Sequence, residues 1–424
     1  MVFKTNSILV LACLLINSFL YAELENFSKL SDKDWPWWRG PLRNAKAMKG
    51  EKPPIKWSEN ENIKWKSKVS GRGHASPIVV GNSVVLATGD SNTEVQSVIS
   101  YDKATGKKIW ETTVHKGGFS PVIHKKNTHA SQTVASDGEQ VYVAFDNSGK
   151  IFATALNLKT GKLVWQKEVG VYNPQKYKFG YGSSPLIYGS TFIVVAESDL
   201  SAKLVAFDLS SGSVVWETKR ELNLNWASPT IAHLEGRDQL LLSGNKKITS
   251  YDPKTGKELW SEKASATATC GTCVWDGDLV FASGGYPEKE TAAVRVGGKG
   301  LAWKTREKTY EPSMLADNGL LYAITDTGTG YCWRSADGEL QWKHKIVKAL
   351  SASPILVGDH IYIAGGRGET VVFEHNSKEY VEIARNKLGD ENYTTPAFSE
   401  NQIFIRVVEG FGSSKQEWLY CIGK

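Results

Sequence analysis

The chain has 424 residues, 41% hydrophobic and 23% charged, with a mean hydropathy of −0.32, the balance of a soluble globular protein. Fifty-one basic and 45 acidic residues leave a net charge of +6, spread in short mixed runs such as "KKNTH" and "EKPPIK". Such runs read as solvated faces, so a nucleic-acid track is excluded, and beyond the first 22 residues no stretch is long and apolar enough to cross a bilayer.

Residues 1–22 read as a secretory signal. Lys4 precedes the apolar run "SILVLACLLINSFLYA", and the acidic "ELENFSK" follows a cleavage point expected after Ala22. The protein is therefore expected to be exported, to the periplasm or the cell surface. "VLAC", ending at Cys13, faintly resembles a lipoprotein box, but the apolar stretch before it is very short and the run continues past it, which makes a lipid anchor the lesser alternative. Residues 23–56, containing "WPWWRGP", form an N-terminal segment ahead of the repeats, which occupy 57–424.

"YDKATGKKIW" at 101–110 returns as "YDPKTGKELW" at 251–260. Weaker copies end at Trp165, Trp216, Trp303 and Trp342. A second phrase precedes each copy, as in "HASPIVVGNSVVLAT" from His74 and "SASPILVGDHIYIAG" from Ser351. Eight units result, roughly 40–55 residues apart, the period of propeller blades. Each unit reads as four short strands rich in Val, Ile and aromatic residues, separated by turn residues. In the last turn an Asp binds nearby backbone N–H groups and a Gly supplies positive φ, giving the sets Asp102/Gly106/Trp110, Asp208/Gly212/Trp216 and Asp252/Gly256/Trp260. The tryptophan falls on the outer strand, where it can wedge against the next blade. The eighth unit stops after three strands at "WLYCIGK", and "ENIKWKSKV" around Trp65 is free to supply the fourth. The expected fold is all-β, an eight-bladed propeller closed by the N-terminal segment. Seven blades is the alternative, should the divergent fifth or eighth unit not be one.

Four cysteines remain after signal removal: Cys270, Cys273, Cys332 and Cys421. Cys270 and Cys273 fall on a predicted strand, where residues three apart face opposite ways, and Val274 stands where haem attachment would need a histidine. No disulfide framework is expected, and Cys332 and Cys421, at equivalent repeat positions, should be buried apart.

At these phrases the chain resembles the pyrroloquinoline-quinone-repeat propellers, over nearly all of its mature length. That superfamily includes quinoprotein dehydrogenases, the propeller lipoprotein of the barrel-assembly machinery and exported bacterial propellers that often start like "WPWWRGP". In this architecture the first strand of each blade lines the central channel and begins at one rim. The residue before the "ASP" phrase, taken around that rim, is His74, His129, Gly182, Trp226, Cys270, Glu311, Ser351 and Tyr393. This position varies while the blades repeat, as either a grafted site or an unconstrained rim would.

His74 and His129, with His115, His124 and Asn127 from the long loop before His129, could form an anion or metal site, or be rim histidines bonded to backbone. No tight ligand spacing supports a metal, and none is expected. Cys270 beside Glu311 discourages a thiolate. Trp226 reads as a packed tryptophan, with a cofactor-bearing face as the alternative. The resemblance implies that a quinone dehydrogenase would carry an adjacent Cys-Cys pair, an Asp base and a Glu/Asn/Asp calcium set, and this chain shows none of these. A GxSxG elbow and a nucleophile triad are also absent. The leading expectation is a non-catalytic binding or scaffold module for an envelope protein or polysaccharide, a monomer or one subunit of a larger assembly. A dehydrogenase using pyrroloquinoline quinone with calcium is the disfavoured alternative. Contact surfaces are expected at 115–130, at the insertion 170–182 with Tyr172, Tyr177, Phe179 and Tyr181, and at 284–294.

Overall fold

The structure, a computed structural model, describes Phe27 and residues 29–424. The expected signal and Cys13 lie outside the described residues. Eight separate four-stranded antiparallel sheets form, one for each repeat. Blade one consists of Ile78–Val80, Ser83–Asp90, Val95–Asp102 and Lys108–Lys116, and the pattern recurs through blade seven. Blade eight takes three strands from the C-terminal end, and its outer strand is Ile63–Val69, paired antiparallel with Gln416–Ile422 from Ile63↔Ile422 to Val69↔Glu417. Eight blades and the join between the ends are as the repeats imply. Ring closure gives blade eight its fourth strand, each blade keeps only a short inner edge on the channel, and apolar side chains fill the wedges between neighbouring sheets.

The corner phrase explains how the blades lock. In three corners an Asp caps the turn: Asp102 Oδ1 accepts from Thr105 N at 2.8 Å, Asp208 Oδ1 from Ser211 N at 2.9 Å and Asp252 Oδ1 from Lys254 N at 2.8 Å. The tryptophan of one blade then donates its indole N–H to the corner carbonyl of the next, from Trp110 to Leu158, Trp165 to Leu209, Trp216 to Pro253, Trp303 to Ser335 and Trp342 to Asn376. Trp65 does the same to Lys103, across the closing blade. The corner glycines lie directly beneath these rings. A Cβ on Gly161, whose φ is +69°, would sit 2.6 Å from Trp110, and one on Gly212 2.7 Å from Trp165. Glycine is therefore required twice over, for backbone and for space.

The glycine and tryptophan of one set serve different seams, which the spacing alone does not show. Gly106 does not pack under Trp110 of its own blade but under Trp65 of blade eight, where a Cβ would come within 2.6 Å of the ring. Gly256 likewise lies under Trp216 of blade three and not under Trp260, and Gly212 under Trp165 and not under Trp216. The cause is the direction of the wedge: each tryptophan leans onto the following corner, so each corner must make room for the ring that arrives from the preceding blade. Blade five has lost the phrase, and Trp260 donates instead to the Gln239 side chain.

The segment ahead of the repeats lies against the propeller. Residues 33–47 run beneath the channel, at the end opposite the rim from which the inner strands start, and Trp57 reaches Asn386 on the outer strand of blade seven. Trp35 exchanges backbone hydrogen bonds with Val79 of blade one, and Ser136 N of blade two donates to Pro36 O. Arg43 donates to Ile187 O of blade three, and its own carbonyl accepts from Thr230 of blade four. Trp38 reaches Thr272 of blade five, Arg39 donates to Met314 O of blade six, Ala45 and Ala47 bond with Leu356 of blade seven, and Lys33 O accepts from Ser399 of blade eight. All eight blades touch this plug.

Candidate functional site

The inner strands are shorter than their phrases suggest. In blade one the strand begins at Ile78, so "HAS" before it is extended chain lining the channel mouth. Its hydroxyl residue makes a ring: Ser76, Thr133, Ser184, Ser228, Thr272, Ser313, Ser353 and Thr395, one from each blade. The backbone N–H of each donates to the hydroxyl of the next at 2.9–3.1 Å, in seven of the eight steps, closing from Thr395 N to Ser76 Oγ. At the remaining step, from Ser228 to Thr272, the Thr272 hydroxyl instead accepts the Trp38 indole N–H at 2.9 Å. Satisfying buried N–H groups this way removes the penalty that bare backbone would carry in the channel wall.

The ring corrects the reading of blade two. Two residues before each hydroxyl stands the rim residue, and before Thr133 that is Ser131, not His129. His129 is buried behind the rim with its ring on Phe119 at 4.0 Å, while His74 stacks on Tyr393 at 4.4 Å. The two histidines do not form a pair. His115 belongs to the outer strand of blade one, beside Phe145 and Phe152. Tyr181 is buried too, its hydroxyl donating to Val195 O at 2.7 Å. The remaining candidates do converge. His74, His124, Asn127, Trp226, Cys270, Glu311 and Tyr393 line one cavity of about 210 Å³ at the mouth, with Trp38 of the plug also in its lining.

The 117–131 loop crosses this mouth. Asn127 Nδ2 donates to Phe179 O at 2.6 Å, His124 packs on the Phe179 ring, and Lys126 reaches blade six to pair with Glu311 Oε1 at 2.9 Å. Blades two and six stand opposite each other in a ring of eight, so the loop is a strap across the opening. Glu311 also accepts from the Ser351 hydroxyl. Trp226 lies against Phe179 and donates its indole N–H to Gly180 O at 2.8 Å, which supports the packing role.

Electrostatically the mouth is quiet. Burial, aided by Arg72, Arg406 and Lys415, holds the His74 imidazole down at about 3, so it is neutral at physiological pH. Burial and then Glu311 push the Cys270 thiol up to about 12, and burial followed by Cys270 and Glu311 pushes the Tyr310 hydroxyl up to about 12. Cys270 and Cys273 lie in irregular chain ahead of the strand Val274–Asp276, not on a strand, and all four described cysteines are free. Cys332 and Cys421 are buried. Among the described residues no group of three or more His, Cys, Asp or Glu side chains is arranged to hold a metal. What the cavity offers is aromatic faces, hydroxyls and one neutralised ion pair, the equipment of a binding pocket.

Sequence reasoning missed three parts of this arrangement: Trp38, Lys126 and the hydroxyl ring. Only the ring had a readable signal, the Ser or Thr recurring at one offset in every unit.

The fold and the mouth define a β-propeller of the pyrroloquinoline-quinone-repeat class. The chain belongs to the family whose model is described as outer membrane protein assembly factor BamB (PQQ_2), which matches residues 55–179 and 96–344. It is 28% identical over 200 residues to outer membrane protein assembly factor BamB of Burkholderia pseudomallei, 46% of each chain. It is 23% identical over 331 residues to the Moranella endobia protein of that name, 74% of this chain and 79% of that one. With a quinoprotein ethanol dehydrogenase of Pseudomonas putida the identity is 24% over 337 residues, 76% of this chain but only 46% of that protein. Among solved structures, BamB from Moraxella catarrhalis matches with a TM-score of 0.59 at 16% identity, covering 84% of this chain and 96% of that one. Quinohemoprotein alcohol dehydrogenase from Comamonas testosteroni matches with a TM-score of 0.64 at 11% identity, covering 95% and 83%. These structural likenesses concern the fold alone.

Proposed function

We propose that this protein is an exported, non-catalytic propeller whose mouth face captures a protein partner in the cell envelope. The observation that carries the reading is the convergence of the three segments singled out as contact surfaces. Val122 of the strap is 54% exposed, Tyr177 of the 170–182 insertion 39% and Tyr286 of the 284–294 segment 43%. Tyr177 and Tyr286 meet edge to face at 5.3 Å, and Phe179 links them to Trp226 and His124. Half-exposed aromatic side chains held on a rigid rim are what interface anchors look like. Family membership, and relatives named for outer membrane protein assembly, support a protein partner over a polysaccharide.

The kinship with quinoprotein dehydrogenases keeps the enzyme reading as the alternative. Hydride abstraction from an alcohol by a calcium-bound quinone needs a free base and several oxygen ligands. At the mouth the lining carboxylate is Glu311, already engaged by Lys126 and Ser351, so the side chains present do not fit that cofactor.

Crosslinking in the envelope with wild type and with Tyr177→Ala/Tyr286→Ala tests the reading, alongside a titration with pyrroloquinoline quinone and calcium. We expect a defined protein crosslink that falls at least tenfold in the double variant, and no quinone spectral change. Stoichiometric quinone binding with a rise in melting temperature would overturn the proposal in favour of the dehydrogenase. Retention on envelope polysaccharide without a protein crosslink would replace the partner class.

A further inference from the structure

Blade two carries a buried carboxylate, Asp146, with which no cation pairs among the described residues. Asp146 stands at the mouth-side end of the strand Gln140–Asn147 and is 6% exposed. It opens onto a cavity of about 420 Å³, separate from the mouth pocket, between the 117–122 loop and the 172–180 insertion. Both walls hang from the turn that follows Asp146. Asn147 Nδ2 donates to Gly117 O at 2.7 Å, Ser148 N to Gly118 O at 2.7 Å, and Tyr172 N to Gly149 O at 2.8 Å. Phe119, Asn147, Ser148 and Tyr172 line the space, and exposed Lys178 lies in its lining without pairing with Asp146.

The repeat supplies an internal control. Ala135 pairs with Tyr142 in blade two and Leu186 with Ile193 in blade three, so Glu197 occupies the position of Asp146. Glu197 is also buried, but there Arg220 pairs with its carboxylate and reaches the Tyr251 hydroxyl as well. Arg220 N donates to Ala202 O, and Ala202 pairs with Glu197. In blade two the residue opposite Asp146 is Ile151, and across from Ile151 stands Gly170, which has no side chain. One blade thus encloses its cation, whereas in the next the Lys203 side chain of blade three lies over Gly170 and pairs with Glu217, so that Asp146 faces the cavity instead. A carboxylate so placed is costly unless something positive completes it.

We propose that this cavity is a receptor site for an organic cation, an ammonium or a guanidinium group, with Asp146 as its counter-ion. Asn147 and Ser148 supply acceptors for the remaining N–H groups, and the ring of Phe119 supplies a face for the charge. The burial that removes Asp146 from water, with no cation beside it, pushes its carboxyl up to about 6, and an incoming cation reverses that. A single carboxylate suits a monovalent organic cation better than a divalent metal, which takes several oxygen ligands. A lysine or arginine side chain of the partner and a free amine share this chemistry. The first source rests on the binding reading above, the second does not.

The test follows the Asp146 Cγ resonance against pH in the carbon-13-labelled full chain. The probes are n-butylammonium, n-butylguanidinium, and N-acetylated, amidated Ala-Lys-Ala and Ala-Arg-Ala, with n-butanol as the neutral control. We expect the Asp146 midpoint to fall by about one pH unit or more with a cationic probe, and not with butanol. Affinity should fall at least tenfold in Asp146→Asn. Response to the peptides alone supports a partner side chain, and response to the simple cations as well supports a free amine. No shift with any probe overturns the proposal. So does a rise of the midpoint in Lys178→Met without probe, because Lys178 would then be the counter-ion. Failure of the crosslinking experiment with cation binding intact sinks the scaffold reading alone.

Discussion

Asp146 also sets a pH dependence of stability. Its folded carboxyl titrates near 6, above the usual value of 3.8, so the folded protein holds that proton more tightly than the unfolded chain. The group's contribution to stability is complete below about pH 4 and is lost as pH rises toward 6, after which the buried charge costs on the order of 3 kcal/mol. Asp146→Asn carries no charge at any pH. The variant should equal wild type in urea denaturation at pH 4 and exceed it by roughly 2–3 kcal/mol at pH 8. Equal stability at both pH values would mean that the carboxylate is already compensated. Arg406 and Glu417 show the opposite arrangement: both are fully buried, they pair with each other, and Arg406 Nη1 also donates to Ala87 O at 2.8 Å, across the seam between blades eight and one.

At the scale of an element, the corner turn separates two uses of glycine. Gly161 has φ +69° and the Trp110 ring of blade one packed on its α-carbon, whereas Gly81 has φ +54° with open space around it. Gly81→Ala should therefore cost about 1–2 kcal/mol, from backbone strain alone. Gly161→Ala must also displace Trp110, and about 3–5 kcal/mol is expected on the same chemical denaturation curve. Equal losses at the two sites would show that the tryptophan moves aside freely. These corners were the most legible part of the sequence, because Asp, Gly and Trp each answer a local geometric demand that recurs from blade to blade, even where single blades have lost a letter. Their pairing across seams was not legible: spacing joins Gly106 to Trp110 and Gly256 to Trp260, whereas packing gives those glycines to Trp65 and Trp216. The rim was only partly legible. Aligning blade two on its "HAS" letters placed His129 at the mouth, whereas the hydroxyl at Thr133, which the neighbouring backbone N–H requires, shifts the register to Ser131. The positions of Trp38 and Lys126 could not be read at all. Each lies in aperiodic chain, and its partner, Thr272 or Glu311, is 234 or 185 residues away.

For the molecule as a whole, integrity rests on one strand borrowed from the other end of the chain. Removing residues 57–69 would strip Gln416–Ile422 of its partner and leave an unpaired edge on blade eight. Trp65, which locks blade eight to the Lys103 corner of blade one, would go with it. Unpaired edges recruit other edges. The truncated protein should therefore elute from size exclusion as dimers and larger species, with its light-scattering mass rising with concentration. A concentration-independent monomer would show that the plug alone can hold the ring closed.

The plug also fixes how the protein faces its surroundings. Phe27 packs on Trp37 and Lys29 lies against Gly138, a turn on the underside of blade two, so the first described residues lie on the plug side. Gly423 bonds to Asn62 on that same side. A tether attached through either end would therefore turn the propeller's back to its anchor. The strap, the mouth cavity and the Asp146 cavity would be held outward, unobstructed by the attachment, toward whatever approaches from the open compartment.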